Sequence, residues 1–254
     1  MRRLSLLIIT ALMILGGVGT AQAAGTGTLS LTPNRVSAAS SLSVSLTGLS
    51  AGFSGLPSSV ALTLQPGFAS STKSVSVLCT ASQSSSSSCP DASKIGTGSV
   101  GIDFFGSPFM VPLKIYLGDP LQTGDIASVI LSGSLSGTTV TVSGRLFAPA
   151  AGGLELLLSG FPSVPVTLDS VTITASGTQT VPKTVTKTVT KIRFTGKGKH
   201  RQRHKHKHKV TKTTKTIYSV ITNPSTCTGM WTGNATLTYS GSQNVLPLSA
   251  PCTP

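Results

Sequence analysis

Leu42-Ser43-Val44-Ser45-Leu46 decides the fold, because its apolar and small polar residues alternate with a period of two. In a strand that period puts every apolar side chain on one face and every serine on the other. A helix would scatter the same residues around its axis. The alternation returns at Val60, Leu62 and Leu64, at Val140-Thr141-Val142, and at Val171-Thr172-Ile173-Thr174. Gly48, Pro57, Pro66-Gly67, Gly118-Asp119-Pro120, Gly133, Gly137, Gly152-Gly153 and Pro162 punctuate these stretches. They recur about every 8 to 12 residues, the spacing of a sandwich or barrel. The run 154–158 is apolar at every position but Glu155 and lies between Gly153 and Gly160, which reads as a buried strand. With aromatics at 5%, the core must be built mostly from Leu, Val and Ile. The pattern therefore predicts an all-β protein of antiparallel β-sandwich type with one or two lobes. The expected divisions are 25–106 for an N-terminal lobe and 107–254 for a C-terminal lobe, joined near 89–106 and interrupted by a basic Lys/His/Thr-rich insertion at 183–216.

The N-terminus reads as an export signal: Arg2 and Arg3 precede an apolar run at 4–18, and Ala21-Gln22-Ala23 forms a small-residue cleavage site. Residues 1–24 are thus expected to be a signal peptide, since the run is shorter than the roughly 20 residues that span a bilayer. An exported chain meets an oxidising compartment, so its four cysteines predict two disulfides. Of the three possible connectivities, the local pairs Cys79 with Cys89 and Cys227 with Cys252 are favoured. Zinc is the rival reading, but neither pair has the close C-x2-C spacing of such sites. Trp231, near Cys227, is expected to pack on that disulfide rather than bind a ligand.

Three stretches resemble a family of exported actinobacterial β-rich proteins, mostly of unknown function. Leu64-Gln65-Pro66-Gly67-Phe68, Cys79 and Cys89-Pro90-Asp91-Ala92-Ser93-Lys94-Ile95-Gly96-Thr97 are similar to its "PxGF…C…CPxxSxIGT" string. Residues 112–177 share its strand-rich texture, and Asn223-Pro224-Ser225-Thr226-Cys227 is similar to its "NPTSC". The resemblance implies export and a β fold. It brings no catalytic residues.

Charge is concentrated in one place. Between residues 183 and 215 lie 13 of the chain's 20 lysines and arginines, all four histidines and no acidic residue, while the rest carries seven basic against six acidic side chains. On a strand, 181–191 would place Val and Lys on one face and a threonine ladder on the other. The similar stretch 210–218 would return as the second limb of a hairpin, with 195–209 as a tip that buries nothing and stays disordered when free. Lys197, Lys199, Arg201, Arg203, Lys205, Lys207 and Lys209 are the candidate polyanion-binding residues, since dense cations release counterions from a phosphate-rich polymer without reading sequence. The partners expected outside the cell are anionic cell-wall polymer, a membrane surface or nucleic acid. A metal site through His204, His206 and His208, with His200 as a further ligand, suits imidazole chemistry. Neighbouring cations oppose it, and no carboxylate is near to orient the rings. The bland reading is a solvated insertion with no partner.

Catalysis finds little support. With every histidine inside the basic segment, no Ser-His-Asp arrangement can form in the body. The carboxylates Asp91, Asp103, Asp119, Asp125, Glu155 and Asp169 stand singly, so a glycosidase pair has no motif to mark it. Asp119 and Asp125 could offer calcium oxygens, but turn chemistry explains them better. Asn234-Ala235-Thr236 is a glycosylation sequon, meaningful only in a host with that machinery. The expectation is a secreted, extracellular or cell-wall-associated protein that is not an enzyme, needs no cofactor and binds anionic polymers through its arm. An adhesive or structural surface module is the alternative, and a hydrolase a remote one.

Overall fold

The computed structural model describes residues 25–135, 137–195 and 202–254; the expected signal peptide lies outside the described residues. The strands in chain order are β1 (Thr26–Thr32), β2 (Ala39–Thr47), β3 (Ser59–Leu64), β4 (Lys94–Phe104), β5 (Ser107–Gly118), β6 (Asp125–Leu135) and β7 (Thr138–Phe147). They continue as β8 (Leu154–Ser159), β9 (Thr167–Ala175), β10 (Thr178–Thr195), β11 (Gln202–Ser219), β12 (Ile221–Thr222), β13 (Met230–Tyr239) and β14 (Ser242–Pro251). One short helix, α1 (Ala81–Ser85), sits inside the loop closed by the first disulfide. The protein is all-β, as the alternating stretches require.

Twelve strands form one sheet in the order β1-β2-β9-β4-β5-β6-β7-β8-β3-β13-β14, with β12 paired to β2; β10 and β11 form a sheet of their own. Every strand pairing is antiparallel. The expected division between 106 and 107 falls in the β4–β5 turn. Strands from its two sides also interleave, because β9 lies between β2 and β4 while β3 lies between β8 and β13. Residues 25–106 and 107–254 therefore build one common sheet.

That sheet curls until its edges nearly meet. Gly27 of β1 lies so close to β14 that a Cβ there would stand 2.5 Å from Leu248 Cδ2. Mid-strand glycine helps the sheet bend: a Cβ on Gly144 of β7 would sit 2.6 Å from the Leu157 carbonyl oxygen of β8. The alternating residues face inward as expected, with Leu42, Val44 and Leu46 buried on β2 and Leu154 and Leu158 on β8. Each fully buried Leu or Ile, such as Ile115, Leu117 or Leu237, contributes about 1.5–3 kcal/mol.

The topology gives the sheet two distinct ends. At one end lie the expected disulfides Cys79–Cys89 and Cys227–Cys252, which leave no free cysteine among the described residues. Trp231 is fully buried nearby, edge-on to Phe68 with ring centroids 5.7 Å apart, and its indole N–H donates to the Thr226 carbonyl at 3.1 Å. The β10–β11 ribbon also leaves from this end, after β9 finishes at Ala175 opposite Gly96. At the other end lie the β4–β5 turn, the β6–β7 turn, the β13–β14 turn and the loops 48–58 and 160–166, since Ile102 pairs with Leu168 and Ser59 with Ser159.

Candidate functional site

Two features stand out, one on each side of the polarity scale. The first is the ribbon. Thr178 pairs with Ser219 and the ladder runs without a break to Thr195 opposite Gln202. Residues 202–209, expected to belong to a disordered tip, are therefore strand. The register explains how so basic a hairpin can pair: Lys187 faces Val210, Lys207 faces Thr190, Lys209 faces Thr188 and Lys205 faces Ile192. Among the described residues no lysine stands directly opposite another, which avoids the like-charge pairs that destabilise a ladder. The expected threonine ladder forms on one face, with Thr184 and Thr213 hydroxyls at 3.5 Å and those of Thr186 and Thr211 at 3.4 Å.

The faces divide the candidate residues. Lys205, Lys207 and Lys209 share the threonine face with Lys215; His206 and His208 lie on the opposite face with Lys187, Lys191 and Lys212. All these lysines are exposed. Arg203 and His204 occupy strand positions opposite Phe194 and Arg193, whereas Lys197, Lys199, Arg201 and His200 lie outside the described residues. The His206 and His208 rings are 6.5 Å apart, and no group of three metal-ligating side chains occurs among the described residues. The six rungs from Lys187–Val210 to Ile192–Lys205 hold Lys187, Lys191, Lys205, Lys207 and Lys209. At about 3.3 Å per residue that is about one cation every 3 to 4 Å. Among the described residues the ion pair is Arg145 with Asp125, far from the ribbon in sequence and topology, so these lysines have no carboxylate partner.

Contacts at its base join the ribbon to the body. Val220 N–H donates to the Gly177 carbonyl at 2.9 Å, Ser176 N–H donates to Ile95, and Lys73 Nζ stands 5.1 Å above the Tyr218 ring. With its amide turned to donate, Gln179 reaches the carbonyls of Val75 and Lys73 at 3.1 and 2.7 Å. Beyond these residues the ribbon projects free of the sheet.

The second feature is inside the sheet. Val60, Leu62, Val100, Val111, Leu113 and Ile173 point inward but are only half-buried, because they line a cavity of about 250 Å³. Every described lining residue is apolar. The eleven strands of the curled path enclose a wide interior, and the sole aromatic in the described lining is Phe161. Matching apolar groups placed in such a space would be worth up to about 6 kcal/mol at about 24 cal/mol per Å³. Sequence reasoning missed this cavity. Its one signal was the low aromatic content of so large a core.

The remaining candidates are structural. Asp125 accepts a two-pronged contact from the Arg145 guanidinium, Nε at 3.0 Å and Nη2 at 2.7 Å, and Arg145 in turn lies 4.8 Å from the Phe147 ring. That hydrogen bonding lowers the Asp125 carboxyl pKa against the opposing effect of its burial. The carboxylate is thus committed to Arg145 rather than open to calcium. Asp103 and Asp169 line one surface depression with Ser50 and Thr167. Both hold turns: Asp103 accepts from the Gly106 N–H at 2.6 Å and Asp169 from the Ser50 hydroxyl at 3.0 Å. Against known protein families, curated proteins and solved structures, the chain has no match. No described helix is long and apolar enough to cross a membrane.

Proposed function

We propose that this is an exported, non-catalytic β protein that associates with anionic polymers through its β10–β11 ribbon. The observation that carries the reading is the row of five exposed lysines on six consecutive rungs, none with a carboxylate partner. Three of them, Lys205, Lys207 and Lys209, recur about every 6.6 Å along one face at about 3.3 Å per residue, about one cation for every second phosphate at about 3.4 Å along one nucleic-acid strand. Affinity from such a row is electrostatic and independent of sequence, so cell-wall polyphosphates, anionic membrane surface and extracellular nucleic acid are all acceptable partners. The two disulfides fit a compartment outside the cytoplasm. The alternative, an adhesive or structural surface module, places the contacts on the body instead.

The two readings separate in one experiment. Replacing 183–214 by Asn-Gly keeps Pro182 opposite Lys215 and closes the shortened ribbon with a two-residue turn. Binding of the protein and this variant to purified cell wall, duplex DNA and anionic vesicles is then followed across a salt series. The ribbon reading expects binding to fall steeply with salt and to be lost in the variant, with the melting temperature unchanged. Equal binding by the variant transfers the function to the body.

A further inference from the structure

We propose that the interior cavity binds the hydrocarbon chain of an uncharged lipid, which enters at the end of the sheet opposite the ribbon. The inference is independent of the polyanion reading.

The lining excludes polar ligands. No described side chain that forms the cavity carries a hydrogen-bonding group, and an apolar cavity of 150 Å³ already stays dry and binds a small hydrocarbon. At about 250 Å³ this one is larger. It is also long: on β9 the lining runs from Leu168 to Ala175, about 23 Å at 3.3 Å per residue. A long space walled by apolar side chains suits an extended hydrocarbon chain.

The entrance is placed by the loop 160–166. Phe161 and Pro162 of that loop line the cavity and are half-buried, and Val164, also lining, is 41% exposed, so the apolar wall reaches the surface there. Around it the same end presents Phe104, Phe105, Phe109 and Met110 to solvent, with Phe105 82% exposed. Phe105 and Gly106 are the two central residues of the β4–β5 turn and both have positive φ, 51° and 81°. Such a turn calls for Asn, Asp or Gly at its first central position. A phenylalanine there is costly for the backbone and, apart from an edge-on contact with the Phe104 ring at 4.6 Å, stays in solvent, which fits a contact made with something else. Aromatic and thioether side chains grouped at one tip suit a lipid surface.

The head group follows from charge. The described loop segments at this end, 48–58, 103–110, 137–138, 160–169 and 239–242, contain no lysine, arginine or histidine, but include Asp103 and Asp169. A carboxylate or phosphate head would meet two like charges and no cationic side chain among the described residues of these loops. An alcohol or ester head meets no such penalty.

The test uses 1-dodecanol and dodecanoate as probes, titrated into the full protein by calorimetry and checked by native mass spectrometry. One dodecanol should bind per chain, saturably, and at least about tenfold more tightly than dodecanoate. Val111→Phe, which fills the lining, should weaken dodecanol binding at least tenfold. Val164→Lys places a cation at the exposed rim and should reverse or erase the preference against dodecanoate, a gain that mere loss of folding cannot imitate. Replacing 183–214 by Asn-Gly should leave both affinities unchanged. The proposal is overturned by failure of dodecanol to saturate, by undiminished binding in Val111→Phe, by tighter binding of dodecanoate to the native protein, or by a preference that Val164→Lys does not move.

Discussion

Neutralising one face of the ribbon gives a quantitative test of how it works. Lys205, Lys207 and Lys209 lie on the same face as Lys215, so Lys205→Gln/Lys207→Gln/Lys209→Gln removes three of that face's four described lysines without touching the core. If this face lies along duplex DNA, its four lysines give a plot of log affinity against log salt a slope of at least about −3.6, at about −0.9 per contact. The triple variant should lose about 2.7 of that slope. Between 50 and 200 mM salt each contact changes affinity by about 3.5-fold, so the native protein should lose about 40-fold more affinity than the variant over that interval. Lys187→Gln/Lys191→Gln/Lys212→Gln removes the same charge from the other face and serves as the matched control. A difference between the two variants tells which face is used, and equal losses mean that polymer contacts both. Fluorescence anisotropy with a labelled duplex reads the slopes. Counterion release along the ribbon is refuted if native protein and both variants share one slope, or if binding does not weaken with salt.

Other consequences concern the body. Replacing Cys227 and Cys252 by serine opens a loop of 25 residues, and should cost about 3.5 kcal/mol in denaturant unfolding on the chain-entropy estimate. Asp125→Asn should lower the melting temperature near pH 6, because it breaks the contact with Arg145. The Asp125 pKa is depressed in the folded protein, so the stability it confers is present above the ordinary carboxylate value of about 3.9 and is lost as pH falls through the folded value. The gap between the variant and the native protein should therefore narrow below about pH 4 in melts taken from pH 2 to 6. Trp231→Ala, which empties a fully buried site against Phe68, should cost about 3–5 kcal/mol by chemical denaturation.

The strands were readable wherever one face is buried. Leu42, Val44 and Leu46 announce β2, and the run 154–158 announces β8, because a period of two has few other physical meanings. Both disulfides were readable from local spacing in a chain whose start reads as an export signal. What alternation leaves open is which strand neighbours which: nothing in β9 itself says that it inserts between β2 and β4, so a boundary at 106 looked natural from the sequence. The ribbon was half legible. Its valine, lysine and threonine faces follow from 181–191, but the Lys-His alternation at 204–209 buries nothing and reads as a disordered tip, whereas the register sets each described lysine against Thr, Val, Ile, Pro or His. The cavity was the least visible feature, since composition tells what faces inward but not how far apart opposite walls stand.

The ribbon's independence from the core has a consequence for how such a protein can change over generations. Val185-Thr186-Lys187-Thr188 is followed at once by Val189-Thr190-Lys191, a near copy with a period of four. Four is a multiple of the strand period, so gain or loss of one unit in β10 leaves every later valine and lysine on its original face. A matching change in β11 restores the ladder, and the arm grows by about 13 Å at 3.3 Å per residue without moving a residue of the sheet. A single-residue insertion would instead exchange the two faces. Reach and charge can thus be adjusted in discrete steps by slippage in a short coding repeat, while the disulfide-bonded body stays as it is.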